Sequence, residues 1–188
     1  MRIVLASASP RRREILGMVC PELEIRISNA NETCDSDTPL DQIPRLLAEK
    51  KALAVPIESG EAIIGCDTVV VCENELMGKP KGREDAIRML ERFSGTEHLV
   101  ISGVCVRTED KIYSESVTSR VYMRELSRRE IERYVDEYEP YDKAGAYGIQ
   151  EMAGAFVTRI DGDFYNIVGL PLCRLTEIFK EQFNTELI

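Results

Sequence analysis

The stretch Ala62-Ile63-Ile64-Gly65-Cys66-Asp67-Thr68-Val69-Val70-Val71 is apolar throughout except at Asp67 and Thr68. A strand with one wet face alternates apolar and polar side chains, whereas an unbroken β-branched run suits a strand covered on both faces. The run therefore predicts the core strand of a sheet carrying helices. An ionised carboxylate inside such a strand is costly unless a cation, a metal or several donors hold it. Asp67 is thus the leading candidate for chemistry, as a general base toward water; the alternative is an aspartate bonded to backbone at a strand end, with Thr68 assisting.

The segment before this strand joins a first strand over 1–5 to a helix through Leu5-Ala6-Ser7-Ala8-Ser9-Pro10-Arg11-Arg12-Arg13. Ser9 is a natural N-cap and Pro10 suits the first helical position, where its missing N–H costs nothing. Unpaired amides, the positive dipole end and the guanidinium groups would make this junction a polyphosphate grip; a capped surface helix with solvated arginines is the other reading. A second strand is expected over 23–27, followed by a polar loop over 29–37 that carries Glu32. A helix opened by Thr38-Pro39-Leu40-Asp41 and ending near Pro56 carries Lys50 and Lys51.

Beyond the core strand, Glu73-Asn74-Glu75 predicts a hairpin turn, Gly78-Lys79-Pro80-Lys81-Gly82 a loop, and 83–93 a helix. Two strands over 99–107 and 111–123 meet at Thr108-Glu109-Asp110. Ser127-Arg128-Arg129-Glu130 is a capping box for a helix that stops before Pro140. A glycine-rich loop then runs through Gln150 to a strand over 155–160, and Pro171 opens a last helix ending near Phe183. Strands and helices mix without strict alternation, which predicts an α/β (α+β) sheet in one domain over 1–188, with two lobes around a central cleft.

Composition limits the partners. A formal net charge of −9 argues against a nucleic-acid groove or an anionic membrane surface, while the clustered basic residues suit a small anionic ligand. No apolar stretch approaches the roughly 20 residues that span a bilayer, and no signal-peptide pattern opens the chain. Cys66 and Cys105 lie in apolar runs, as reduced buried thiols do, so a cytoplasmic protein without zinc or disulfides is expected. His98 has no nucleophile signature around it and reads as structural.

The remaining candidates are ambiguous one by one. Glu32, folded over the core strand, would join Asp67 as a carboxylate pair for an oxygen-loving divalent cation, Mg²⁺ or Mn²⁺; alone, it reads as a solvated loop residue. Lys51 and Lys79 would neutralise phosphates, or Lys51 is a helix-surface lysine. Gln150 offers a donor and an acceptor that could read a base edge, or it caps its own loop. Neither a P-loop nor a dinucleotide glycine triad is present, and Asp67-Thr68 lacks the second aspartate of a haloacid-dehalogenase phosphatase.

Taken together, Ser7-Ala8-Ser9-Pro10-Arg11-Arg12, Glu32, Lys51, Cys66-Asp67-Thr68, Gly78-Lys79-Pro80, Ser94-Gly95, the stretch from Asp142 to Gln150 and Val168-Gly169-Leu170-Pro171 resemble the Maf family over nearly the whole chain. The resemblance implies an inosine-triphosphate-pyrophosphatase-like twisted mixed sheet with flanking helices, and hydrolysis of a nucleoside triphosphate to the monophosphate and pyrophosphate. It makes Asp67 the proton acceptor. Arg12, Thr68 and Gln150 match positions that mark the subgroup acting on dTTP and UTP rather than 7-methyl-GTP. With Glu32 and Asp67 near the cation, Ser9, Arg12, Arg13, Lys51 and Lys79 are expected to hold the phosphates. A homodimer is implied by family analogy alone. Three positions depart from the pattern: Glu151 for glycine, Asn31 for an acidic residue and Cys66 for alanine. Two rival readings stand beside the main one: a nucleotide-binding regulator of septum formation without turnover, and an enzyme that clears modified pyrimidine nucleotides.

Overall fold

The computed structural model describes Met1–Ile188 as a mixed α/β protein with a seven-stranded sheet. Its strands are β1 (Arg2–Leu5), β2 (Glu24–Ile25), β3 (Glu61–Cys72), β4 (Glu75–Met77), β5 (Glu97–Arg107), β6 (Ile112–Met123) and β7 (Val157–Asp161). Its helices are α1 (Pro10–Gly17), α2 (Ile43–Ala54), α3 (Arg83–Phe93), α4 (Arg128–Tyr138), α5 (Phe164–Val168) and α6 (Leu172–Phe183). The sheet order is β2-β1-β3-β5-β6-β7, with β4 paired to β3. The β1 pairings with β2 and β3 are parallel, and those of β3 with β4 and β6 with β7 are antiparallel. By internal contacts the chain forms two compact units, the first Met1–Thr68, Ile101–Val117 and Tyr165–Ile188, the second Val69–Val100 and Thr118–Phe164.

In the first unit, the expected core strand is the structural one: Ala62, Ile63, Ile64 and Cys66 are fully buried. Helix α2 packs directly on it, because Gly65 has no side chain there. A Cβ at Gly65 would lie 2.1 Å from the Ala48 carbonyl oxygen and 2.9 Å from the Ala52 amide nitrogen. Val4, Ala6, Ala48, Ala52, Val55, Ile63 and Cys105 complete this core layer, with Ile57 against it. Helix α6 adds the buried Leu175, Ile178 and Phe179.

In the second unit, Glu73 and Asn74 adopt positive φ (49° and 67°) and turn β3 into β4, as the sequence predicts. Helices α3 and α4 pack together and bury Ile87, Leu90, Phe93, Ile131, Tyr134 and Val135. The capping box at Ser127 and Glu130 forms in both directions.

Several boundaries differ from the sequence reading, which also lacks helix α5. The second strand shrinks from 23–27 to Glu24–Ile25. Helix α2 begins at Ile43 rather than at Thr38: residues 38–42 make a turn, in which the Gln42 amide donates to the Pro39 carbonyl at 2.9 Å. Thr38 and Pro39 mimic a helix start, but Pro44 is the proline that occupies the first turn. No helix is long and apolar enough to cross a membrane.

Candidate active site

The β1–α1 junction forms as the sequence dictates. Ser9 caps α1 by accepting from the Arg12 amide at 3.4 Å, Pro10 begins the helix, and the Ser7 hydroxyl accepts from the Ser9 amide at 3.2 Å. Arg13 is exposed on this first turn and Arg12 is half-buried. Arg12 is held through every nitrogen. Its Nε donates to the Gly169 carbonyl at 2.8 Å, one terminal nitrogen to Ser7 Oγ at 3.3 Å, and the other to Thr68 Oγ1 at 3.0 Å. Gly169, at φ 128°, lies in a region that side chains other than glycine's rarely tolerate.

Asp67 has the cation that its burial demands. At 9% exposure its Oδ1 accepts from Lys51 Nζ at 2.6 Å. Two periodicities place that pair: Gly65 and Asp67 share a face of β3 at spacing two, and Ala48, Lys51 and Ala52 share the face of α2 that Gly65 admits. Lys51 is as buried as Asp67, which excludes the helix-surface reading. Glu32, on its exposed loop, reaches the same ammonium at 3.1 Å. Lys50 fastens that loop by donating to the Thr33 carbonyl at 2.5 Å. Lys51 thus stands between the Glu32 and Asp67 carboxylates.

These carboxylates suit a divalent cation of the magnesium type, which takes one or two protein carboxylates and completes its shell with water and phosphate oxygens. No group of three or more His, Cys, Asp or Glu side chains forms an all-protein cage anywhere in the chain.

Cys66, beside Asp67, is fully buried, and its thiol donates to the Gly169 carbonyl at 3.2 Å. Burial pushes that thiol above its ordinary range, so it is an inert packing group.

Within the second unit, Lys79 and Gln150 are both exposed on loops. The loop of Lys79 is joined to the glycine-rich segment by the Gly145 amide, which donates to the Gly78 carbonyl at 3.0 Å. The turn that ends in Gln150 rests on α4 through the Gly148 amide, bonded to the Tyr134 hydroxyl at 3.3 Å. Glu151, the departure from glycine, pairs with Lys143 at 3.3 Å, and Lys143 also meets Asp142 at 2.9 Å. His98 is structural, as expected: it is buried against Phe93 with its Nε2 2.7 Å from the Tyr147 hydroxyl.

Sequence reasoning passed over Ser7 as a ligand of Arg12, and over Ser102 and the Gly169 carbonyl. Ser102 Oγ lies 2.8 Å from Thr68 Oγ1. Its only signal was a hydroxyl in the apolar run Val100-Ile101-Ser102-Gly103-Val104, and carbonyls carry no sequence signal at all.

The family described as Maf-like protein matches residues 2–182. The chain is 48% identical to the dTTP/UTP pyrophosphatase of Dictyoglomus turgidum, over 95% of this chain and 94% of that one. It is 42% identical to the protein of the same description from Aquifex aeolicus, over 96% and 95%, and 44% identical to that of Hahella chejuensis, over 96% and 92%. Among solved structures, the Ham1 protein of Staphylococcus aureus matches at a TM-score of 0.47 and 15% identity, covering 68% of this chain and 73% of that one.

Proposed function

The chain belongs to the Maf family, and we propose from that membership and the Lys51–Asp67 geometry that it is a nucleoside triphosphate pyrophosphatase acting on dTTP and UTP. The products are the nucleoside monophosphate and pyrophosphate. The observation that carries the reading is a buried aspartate whose partner is a lysine, 2.6 Å away, rather than backbone.

Asp67 accepts the proton of a water whose oxygen attacks the α-phosphorus. The bond from that phosphorus to the oxygen bridging the α and β groups breaks, and pyrophosphate leaves with the electron pair. Such a transition state needs positive charge around the phosphoryl oxygens more than covalent help. Lys51, Arg12, Arg13, Lys79 and the capped start of α1 at Ser9 supply it. Magnesium or manganese, held by Glu32 and Asp67, would neutralise triphosphate charge. Gln150 can donate to a pyrimidine carbonyl and accept from its ring N–H, and with Arg12 and Thr68 it carries the base preference.

Pyrophosphate release from dTTP, UTP, 5-methyl-UTP and 7-methyl-GTP, with each metal, tests the reading. The expected result is turnover of the pyrimidines and poor use of 7-methyl-GTP. Tight binding of dTTP with no pyrophosphate released would favour a regulator, and preference for 5-methyl-UTP would favour clearance of modified nucleotides.

A further inference from the structure

We infer that Ser102, a residue with no place in the scheme above, is a positioning residue for Arg12. Its buried hydroxyl fixes the direction of a hydrogen-bond relay that runs from Arg12 through Thr68 and Ser102 to the Asn166 carbonyl. The inference rests on the proposed function, in which Arg12 and Thr68 carry the base preference.

The direction follows from counting protons. A hydroxyl has a single hydrogen and two lone pairs, a carbonyl has only lone pairs, and a guanidinium has only donors. Ser102 Oγ lies 3.1 Å from the Asn166 carbonyl oxygen, so the hydrogen of that contact is Ser102's own. Ser102 must then accept in its 2.8 Å contact with Thr68, whose hydrogen is thereby committed. Only lone pairs of Thr68 remain, and Arg12 donates to one of them at 3.0 Å.

The Gly169 carbonyl, 3.3 Å from Thr68 Oγ1, is the competing acceptor. It already receives Arg12 Nε at 2.8 Å and the Cys66 thiol at 3.2 Å, which fills both lone pairs. Reversing the relay would set Ser102 and the Asn166 carbonyl face to face as acceptors. Ser102 is fully buried, and a buried polar contact left unmade costs more than a made one gains.

The consequence is chemical. Thr68 has no hydrogen to offer a nucleotide, so its influence on base preference passes through the guanidinium. Arg12 spends an N–H on each of Gly169, Ser7 and Thr68, so the guanidinium plane is fixed from three sides. Without Ser102 the Thr68 hydroxyl is free to rotate, and one anchor of Arg12 loosens.

The test compares wild type with Ser102→Ala, Thr68→Val and their double variant, assayed with dTTP, UTP, CTP and GTP. Each single change is expected to lower kcat/KM for dTTP and UTP about tenfold, the scale of one neutral hydrogen bond. The preference over CTP and GTP narrows, and the double variant is no worse than the worse single one, as members of one relay require. Ser102→Cys, which fills the site with a slightly larger group that bonds weakly, moves the same way if the alanine variant fails to fold. Ser119→Ala removes another fully buried hydroxyl, one that donates to the Asp163 carbonyl outside the relay, and leaves the preference unchanged.

A second readout does not depend on turnover. The Arg12 Nε–H proton, identified by its loss in Arg12→Lys, should exchange with solvent about tenfold faster in Ser102→Ala. Failure of wild type to release pyrophosphate from dTTP or UTP would sink the proposed function and leave this exchange measurement standing. Unchanged Arg12 exchange in Ser102→Ala, or effects of the two single changes that multiply in the double variant, would overturn the role of Ser102.

Discussion

Asp67 on β3 and His98 on β5 are both ionisable and both buried, at 9% and 2% exposure, yet they meet burial differently. Asp67 is matched by an opposite charge, Lys51, which is itself tied to Glu32. His98 is packed against Phe93 and Tyr147, whose rings carry no charge to offset a proton, and its Nδ1 has no hydrogen-bond partner. Burial accordingly lowers the His98 pKa from 6.5 to about 4 and keeps the ring neutral. The contrast separates a buried charge met by its counter-charge from a core position that merely tolerates a polar ring.

The largest expected effect breaks the first member of the comparison. Asp67→Asn removes the proposed proton acceptor but keeps an oxygen for Lys51, so the protein is expected to stay folded while kcat falls about 1,000-fold, within the range for a general base. Steady-state pyrophosphate release beside a thermal melt checks both halves, and wild-type turnover would remove Asp67 from its role. Lys51→Met comes next. Turnover drops about 100-fold, and the lone buried carboxylate destabilises the fold by about 3 kcal/mol. Replacing the pair together, Lys51→Met with Asp67→Leu, should recover most of that stability in denaturant unfolding while activity stays lost. This dissociation would show that the pair is kept for chemistry.

His98 predicts the opposite pattern, a pH effect on stability alone. Its folded pKa lies below its unfolded value, so the unfolded chain binds the proton more readily. Its contribution is fully present above pH 6.5 and is lost as pH falls through 6.5 toward about 4. The loss amounts to about 3 kcal/mol for a shift of this size. From pH 7 to pH 4.5 the unfolding free energy of wild type relative to His98→Phe should fall by about 2 kcal/mol, since the variant lacks this titration and pH 4.5 still lies above the folded value. Equal slopes for the two proteins would refute the buried neutral ring. The smallest effect is expected at Cys66, where alanine should cost about 1 kcal/mol of stability and leave kcat within a few-fold of wild type.

Much of this was legible in the residues, for local reasons. The Ser9-Pro10 start of α1, the Ser127–Glu130 capping box, the Glu73-Asn74 turn and the core strand each depend on neighbours a few positions away, and each formed where the sequence predicts. Thr38 misled for the same reason: it is a sound cap in isolation, but the chain turns at 38–42 before helix α2 begins. At the site, the need of Asp67 for a cation was readable from its apolar flanks. Which cation meets it was not, because Lys51 reaches it only through the close approach of α2 at Gly65.

By itself, then, the sequence determined most of the elements, the oddity of a carboxylate in the core strand, and the family with its reaction. Only the tertiary structure decided that Lys51 rather than backbone holds Asp67, that Glu32 reaches the same ammonium, and that Arg12 is anchored by Ser7, Thr68 and the Gly169 carbonyl. Caps, turns and periodicity are set within a few residues, whereas these contacts, that of Ser7 apart, join positions 16 to 157 apart in the chain and exist only once packing has fixed which atoms meet.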